Sequence, residues 1–519
     1  MWNDICRGDN INYIDNTYKN KYGRIKINRL NKKYIKKELK MSDYILSNIN
    51  GYSLDKEQRI AVITDECANL IVAGAGSGKS LTMVGKIRYL IERKCIKEDE
   101  ILCISFTKDA SENLEKNIKK NYNYNIKVYT FHKLALELLK KNKYRIASDN
   151  LLRYIIDEYF YFVMYEKDIK FKIKKILNKI DIPYKIILKS KELENLKRLI
   201  ITFINLFKTN NYNISYFLKI KGNKDIIRII IDIYILYEEE LKSTNSIDFN
   251  DMIILATNYV KNNNIKNYKY IIVDEYQDTS YIRYLFLKEI INKTGAKIIC
   301  VGDDYQSIYR FNGCDLNMFL NFKKYFGYTK VLKINNTYRN SQELINVAGK
   351  FIMKNKRQLY KKLRSRKRID KPIKIMYGNN LEKLLDKVIK KHKNILILGR
   401  NNFDINKHLT LNENNIIEYK GINIRYLTIH ASKGLEEECV VIINLKDDIL
   451  GIPNKIKDDK ILRSVNKNID IYPYEEERRL FYVALTRTKS DVYLLVDKKN
   501  PSIFVKELIK DNNKYIEYI

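Results

Sequence analysis

The chain has 519 residues, 45% of them hydrophobic, which is enough for roughly two to four domains and excludes a disordered protein. Lysine and arginine total 97 against 62 acidic residues, a formal charge of +35, and that excess calls for a polyanionic partner, nucleic acid first. Codon bias toward Lys, Asn, Ile and Tyr would enrich Glu as well and does not account for it. No apolar stretch reaches the roughly 18 residues that span a bilayer; the nearest, Ile226 to Tyr237, is broken by Arg228 and Asp232. Asp4, Arg7 and Asp9 stand where a signal peptide would carry its apolar centre, so a cytoplasmic protein without membrane contact is expected. The cysteines occur singly, with no Cys-x-x-Cys or Cys/His cluster, and read as buried free thiols rather than a zinc site.

Residues 1–48 are polar and basic, with Lys32, Lys33, Lys36, Lys37 and Lys40 on a predicted helix that is either an extra nucleic-acid grip or a solvated face. Leu70–Val72 is predicted as a strand. It runs into Ala73-Gly74-Ala75-Gly76-Ser77-Gly78-Lys79-Ser80, followed by helix-spaced Met83, Val84, Ile87, Leu90 and Ile91. Strand, glycine-rich turn and helix make a phosphate loop, with Ala73 standing where the strict pattern has glycine. Glycines let backbone N–H groups close round phosphate oxygens, and the helix N-terminus adds positive potential. Lys79 would then reach the β- and γ-phosphates of a nucleoside triphosphate, and Ser80 would hold Mg²⁺.

Further strands are predicted at Ile101–Ser105 and Ile126–Tyr129. Between 136 and 245 the chain turns Lys/Ile/Leu/Tyr-rich at helical spacing, with one proline (Pro183) and one glycine (Gly222), and reads as an inserted helical domain. Strands return at Tyr270–Val273, Lys297–Val301 and Val331–Ile334, then at Ile395–Leu398, Ile424–Ile429, Cys439–Ile443 and Val492–Val496. Alternating strands and helices predict two largely parallel α/β sheets with a ligand cleft between them.

Two strand ends carry chemistry. Asp274 and Glu275 close Tyr270–Val273, where Asp274 suits Mg²⁺ and Glu275 suits polarising the water that attacks a γ-phosphate. Beyond Val301 comes Gly302-Asp303-Asp304-Tyr305-Gln306, and Gln306 can hydrogen-bond γ-phosphate or water. Tyr309 and Phe311 then offer π-faces on which bases stack, with Arg310 between them as a charge for phosphate.

With Leu54-Asp-Lys-Glu-Gln-Arg59, Ile104-Ser-Phe-Thr107, Thr130-Phe-His132, Val273-Asp-Glu-Tyr-Gln-Asp-Thr279, Thr337-Tyr-Arg339, Thr428-Ile-His-Ala-Ser-Lys-Gly-Leu-Glu436 and Val483-Ala-Leu-Thr-Arg487, the chain resembles superfamily 1 helicases of the UvrD/Rep type. Ile308-Tyr-Arg-Phe311, Gly451-Ile-Pro453 with Asp458-Asp459, and Glu475-Glu-Glu-Arg-Arg-Leu-Phe-Tyr482 place it nearest the helicase IV branch. The resemblance implies two RecA-like lobes of the P-loop NTPase fold: 49–135 with 246–335, and 336–519. The helical insertion 136–245 lies in the first, and the interval from Arg339 to Thr428 leaves no room for a full-size insertion in the second.

It also implies roles. Gln58 would read the adenine edge and Tyr338 would stack on its face. Leu81 stands where many relatives have an arginine, making that contact apolar. Arg339 and Arg487 would act as arginine fingers in cis, and Glu436 would bind the ribose. Phe106, Thr107, Thr130, His132, Tyr309, Phe311, Thr428 and His430 would line a single-stranded DNA track, although Phe311 and Asn312 replace a common Trp and Arg. The implied activity is ATP-dependent 3′ to 5′ translocation and unwinding of tailed or forked duplex DNA in replication, repair or recombination. The protein would act as a monomer, with replication or repair proteins as partners. The competing expectation is a helicase-like ATPase that remodels a nucleoprotein or RNA polymerase complex without unwinding.

Overall fold

The computed structural model describes residues 13–16, 21–456, 459–467 and 469–519; Asp458, Asp4, Arg7 and Asp9 lie outside the described residues. The first sheet is built from β1 (Ala68–Ala73), β2 (Ile101–Ser105) and β3 (Val128–Thr130), and, beyond the two-residue strands β4 (Arg145–Ile146) and β5 (Ser246–Ile247), from β6 (Tyr270–Val273), β7 (Lys297–Gly302) and β8 (Lys330–Ile334). All its pairings are parallel, in the order β3-β2-β6-β7-β1-β8. β1, β2 and β6 are buried along their whole length because helices cover both faces, so they read as unbroken apolar runs. The order places the C-terminal ends of β6, β7 and β1 side by side, where an open parallel sheet binds ligands.

The second sheet holds β9 (Ile373–Tyr377), β10 (Ile395–Gly399), β11 (Ile416–Tyr419), β12 (Ile422–Thr428), β13 (Cys439–Leu445), β14 (Val492–Val496) and β15 (Ile516–Tyr518). Their order is β11-β12-β10-β13-β14-β9-β15, parallel except for the β11–β12 hairpin, whose turn residues Lys420 and Gly421 both have positive φ (49° and 78°). The expected strands all occur, with β3 displaced two residues from Ile126. β9, β11 and β15 went unread because Lys374, Glu418 and Glu517 interrupt their apolar runs. The interval from Arg339 to Thr428 is taken up by β9 to β12 and the helices Gln342–Ile352 and Leu381–Val388.

β4 pairs with β5, drawing together the two ends of a helical run, and the helices Leu151–Phe162, Lys167–Ile176, Lys191–Thr209 and Lys224–Ser243 enclose their own core around Phe160, Phe203, Phe207 and Ile230. A later segment completes that core. The short helix Lys460–Val465 inserts Ile461 and Val465 into it, Asn210 Nδ2 donates to the Val465 carbonyl at 2.9 Å, and Tyr216 Oη donates to that of Ser464 at 2.8 Å. Since this segment precedes the helix Glu475–Leu485 of the second lobe, it ties that lobe to the helical run.

Cys103, Cys300, Cys314 and Cys439 are buried as expected. Cys67 is exposed and Cys95 is disulfide-bonded, a correction to the free-thiol expectation: spacing along a chain says nothing of which thiols meet in space. Among the described residues no helix is long and apolar enough to cross a membrane. Val465→Asp would place a carboxylate in the apolar groove. Limited proteolysis should then cut the variant within 459–467 while sparing the parent, and identical digests would contradict the docking.

Candidate active site

The phosphate loop leaves β1 and enters the helix Lys79–Glu92 through Gly76 (φ 68°) and Gly78 (φ 75°), conformations that favour glycine. Close approach is the second demand. A Cβ on Gly76 would lie 2.4 Å from Arg339 Cβ and 2.9 Å from Thr337 Oγ1, and one on Gly74 would lie 2.7 Å from Leu363 Cδ2. Thr337 Oγ1 donates to the Ala75 carbonyl at 2.8 Å, and the Tyr338 N–H donates to that of Gly76 at 2.9 Å. The segment leading into the second lobe thus lies directly on the loop. Ser77 Oγ closes the turn onto the Gly74 carbonyl (2.8 Å), Ala73 is buried at the strand end, and Lys79, exposed Ser80 and half-buried Leu81 form the first helical turn.

Gln58 is buried beside the loop, and its amide is engaged. Nε2 donates to the Ser77 carbonyl at 3.0 Å, and Oε1 accepts from the Asp55 N–H at 2.9 Å in a capping box. An adenine would meet only its remaining donor and lone pair. Tyr338 is 62% exposed, its ring held by a hydrogen bond from Oη to Asp55 (2.9 Å).

At the end of β6, Asp274 accepts from the Glu275 N–H at 2.9 Å, and Glu275 sits at φ 48°, an uncommon conformation for a side-chain-bearing residue. Lys79 Nζ lies 3.3 Å from Glu275 Oε1, and Gln277 Nε2 donates to the other oxygen at 2.5 Å. Burial and the neighbouring Glu275 charge push Asp274 up to about 7, whereas Lys79 and Lys433 outweigh burial and hold Glu275 down to about 2. Asp274, a buried carboxylate at the end of β6, and the Ser80 hydroxyl, in the first turn of the helix whose Lys79 pairs with Glu275, are oxygen donors of the kind that suits Mg²⁺.

β7 supplies the next contact. Gln306 Nε2 donates to Asp303 at 2.5 Å, and its Oε1 accepts from Arg487 Nη2 at 2.9 Å. Arg487 is 1% exposed, and its hydrogen bonds go to neutral oxygens: the Val483 and Leu435 carbonyls, both at 3.1 Å, and Gln306. Burial and the nearby Arg339 charge lower it to about 9, still protonated at neutral pH. Glu275 and Asp303 act on it only from beyond hydrogen-bonding contact, and a buried guanidinium without a directly paired carboxylate is destabilised relative to one that an anion contacts. Arg339 donates to Glu436 at 2.7 Å, and Glu436 also pairs with Lys489 at 3.0 Å, so the residue expected on a ribose here braces an arginine.

Two lysines escaped the sequence reading. Lys433 pairs with Asp278, donates to the Gln306 carbonyl at 2.6 Å and stands 4.9 Å over the Tyr309 ring. Its sole signal was its place between Thr428 and Glu436. Lys361 is fully buried between Asp303 and Asp304 (2.6 Å to the latter) and lay hidden in a basic run. Arg310, expected as a charge for phosphate, is instead consumed by Glu476 (2.9 Å), a correction no local pattern could supply.

Across the cleft mouth runs a line of rings. Phe106 and Tyr309 stack with centroids 5.8 Å apart and planes 10° apart; Phe311 meets Tyr309 edge-on at 6.1 Å and His430 at 5.5 Å. Phe311 is 54% exposed. Arg283, also unread in the sequence, lies 4.7 Å over Phe106 and 5.7 Å over Phe131, and His132 packs edge-on against Phe249 at 5.3 Å. Burial lowers His132 and His430 to about 4, so both are neutral at pH 7 and offer ring faces rather than charge. Thr107 and Thr130 cap the helices Lys108–Tyr122 and Phe131–Leu139, and Thr428 Oγ1 accepts from the Ala431 N–H at 3.3 Å, so all three mark turns at strand ends.

Gly76→Ala should abolish loop closure, because its Cβ collides with Arg339, and ATP turnover should fall at least about tenfold, the equivalent of 1.4 kcal/mol. Gly51→Ala, equally strained at φ 84° but with nothing within 4 Å, should retain turnover. Equal activity of the two variants in a phosphate-release assay would contradict the contact.

The comparisons with known proteins agree with this geometry. The model of the UvrD/REP helicase N-terminal domain matches residues 54–327, and that of the UvrD-like helicase C-terminal domain matches 379–499. DNA helicase IV of Escherichia coli is 27% identical over 492 residues, covering 89% of this chain and 71% of its own. ATP-dependent DNA helicase Rep of Buchnera aphidicola (subsp. Schizaphis graminum) is 28% identical over 88% of this chain and 72% of its own. A probable DNA helicase of Mycoplasma pneumoniae is 27% identical over 88% and 87%. With a phosphate loop, an acidic strand end and two arginines gathered at one cleft, and a family model spanning more than half its length, the chain belongs to the UvrD/REP helicase family.

Proposed function

We propose that the protein is an ATP-driven motor that moves 3′ to 5′ along single-stranded DNA and unwinds tailed or forked duplexes in replication, repair or recombination. The observation that carries this reading is Arg487, a buried cation with neutral partners, one hydrogen bond from the strand end that follows Asp274 and Glu275 in the sheet. In this reading 49–135 with 246–335 form one lobe, 336–519 the other, and 136–245 an insertion. The γ-phosphate is the anion that Arg487, Arg339 and Lys79 share. Glu275, kept ionised by Lys79 and Lys433, orients and polarises the attacking water. Mg²⁺, held by Ser80 and Asp274, would neutralise charge on the β- and γ-oxygens.

Loss of the γ-phosphate removes the charge that favours closure, and the lobes separate. Because Tyr309 touches Phe106 in one lobe and His430 in the other, the same motion alters the grip on stacked bases. Stacking and phosphate contacts carry no sequence preference, and binding should weaken steeply with salt.

Lys79→Ala should abolish DNA-stimulated ATP hydrolysis, and near-normal turnover would refute the site. Phe311→Ala should weaken single-strand binding by about 1–3 kcal/mol while leaving DNA-independent hydrolysis intact. Wild-type protein should unwind a 3′-tailed duplex in preference to a 5′-tailed one. Hydrolysis stimulated by RNA polymerase and not by single-stranded DNA would favour a remodelling ATPase instead.

A further inference from the structure

The helix Lys21–Met41 has two opposite faces. Ile27, Asn31, Tyr34 and Glu38 recur every three or four residues and are all buried, fixing one stripe against the first lobe. Tyr34 Oη lies 3.1 Å from Tyr89 Oη, Arg93 Nε donates to Glu38 at 2.6 Å, and Asn31 Nδ2 donates to the Ile14 carbonyl at 2.7 Å. On the other side Arg29, Lys33, Lys36 and Lys40 recur at the same spacing, all exposed, with exposed Lys26 and Lys32 beside them. The helix's one acid, Glu38, belongs to the buried stripe.

These four cations fall on one line. At 1.5 Å per residue they span about 16 Å in steps of about 5 Å, a separation that long side chains can match to successive phosphates of one strand. Arg29 and Lys33, like Lys36 and Lys40, are like-charge pairs four residues apart, which weaken a helix unless an anion lies between them. The anchors show where the line sits. Tyr89 and Arg93 end the helix that begins at the phosphate loop, and Asp15, just before this segment, accepts from the Cys67 N–H (2.5 Å) at the start of β1. Both lie toward the end of the sheet where the parallel strands begin, opposite the strand ends that carry the phosphate loop and Phe106.

We infer that this helix is a second nucleic-acid surface, which grips the phosphate backbone of duplex DNA outside the track without reading bases. The choice of DNA rests on the function proposed above. A helix that lies on a membrane sinks its apolar face into lipid. Here that face is spent on the lobe, and among the described residues of the helix the exposed large apolar side chains are Ile25, Leu30 and Met41, too few for an apolar face of their own.

The test is the full chain carrying Arg29→Ala, Lys33→Ala, Lys36→Ala and Lys40→Ala, titrated with a short blunt duplex at several salt concentrations. The plot of log affinity against log salt should lose up to about 3–4 units of slope, near 0.9 per phosphate contact. Hydrolysis stimulated by oligothymidylate, which reports the track, should persist. Arg29→Lys with Lys33→Arg, Lys36→Arg and Lys40→Arg should bind duplex like the parent, separating charge from fold. Unchanged slope and affinity in the alanine variant would overturn the inference, as would parent protein that binds phosphatidylserine vesicles through these residues and ignores duplex. Loss of oligothymidylate stimulation with duplex binding intact in the parent would instead sink the track and leave this surface standing.

Discussion

A charge held away from water organises this molecule. Arg487 sits in the second lobe, buried, with three neutral oxygens for company, and one of them is the side chain of Gln306 in the first. Neither lobe alone accounts for the arrangement. The glutamine is oriented by Asp303, which Lys361 pins from a chain segment between the two sheets. Thr337 and Tyr338 add neutral hydrogen bonds to the loop carbonyls, so the lobes meet on the surfaces that would enclose phosphates. Closure by such contacts is reversible, because a hydrogen bond exchanged with water nets only about 0.5–1.5 kcal/mol. The electrostatic demand of Arg487 is the larger effect, and it is the one an anion can satisfy.

The same few residues join the cleft to the ring line. Lys433 touches Asp278, the Gln306 carbonyl and the face of Tyr309, and Tyr309 in turn stacks on Phe106 and donates to the His430 carbonyl at 3.2 Å. Gln306 and the stacked ring of Tyr309 thus share Lys433 as a common partner. The segment 459–467, buried in the helical run, extends that linkage to a third body, since it lies close in sequence to the helix leading into Arg487.

Much of this was legible in the residues. Unbroken apolar runs ending in Asp274-Glu275 or Gly302-Asp303 mark buried parallel strands whose tips carry charge, and Gly76 and Gly78 mark a loop with positive φ. Partnership was not legible. Arg310 looks like a charge for phosphate until Glu476 is folded onto it, and nothing near Glu436 in the sequence shows that it pairs with Arg339 and Lys489. Lys361 and Arg283 are single letters in basic or mixed stretches, and only long-range packing buries one between carboxylates and lays the other over Phe106. Gln58 shows a subtler limit. Its place beside the loop follows from the motif, but the use of both its polar atoms in bracing does not.

The most direct measurement is a crystal structure with a non-hydrolysable ATP analogue and Mg²⁺, the lobes closed. Lys79, Arg339 and Arg487 should all come within hydrogen-bonding distance of the γ-phosphate, with Arg487 exchanging a carbonyl for phosphate oxygen. A closed, nucleotide-bound structure in which Arg487 keeps its bonds to Val483, Leu435 and Gln306 and stays remote from the γ-phosphate would contradict it.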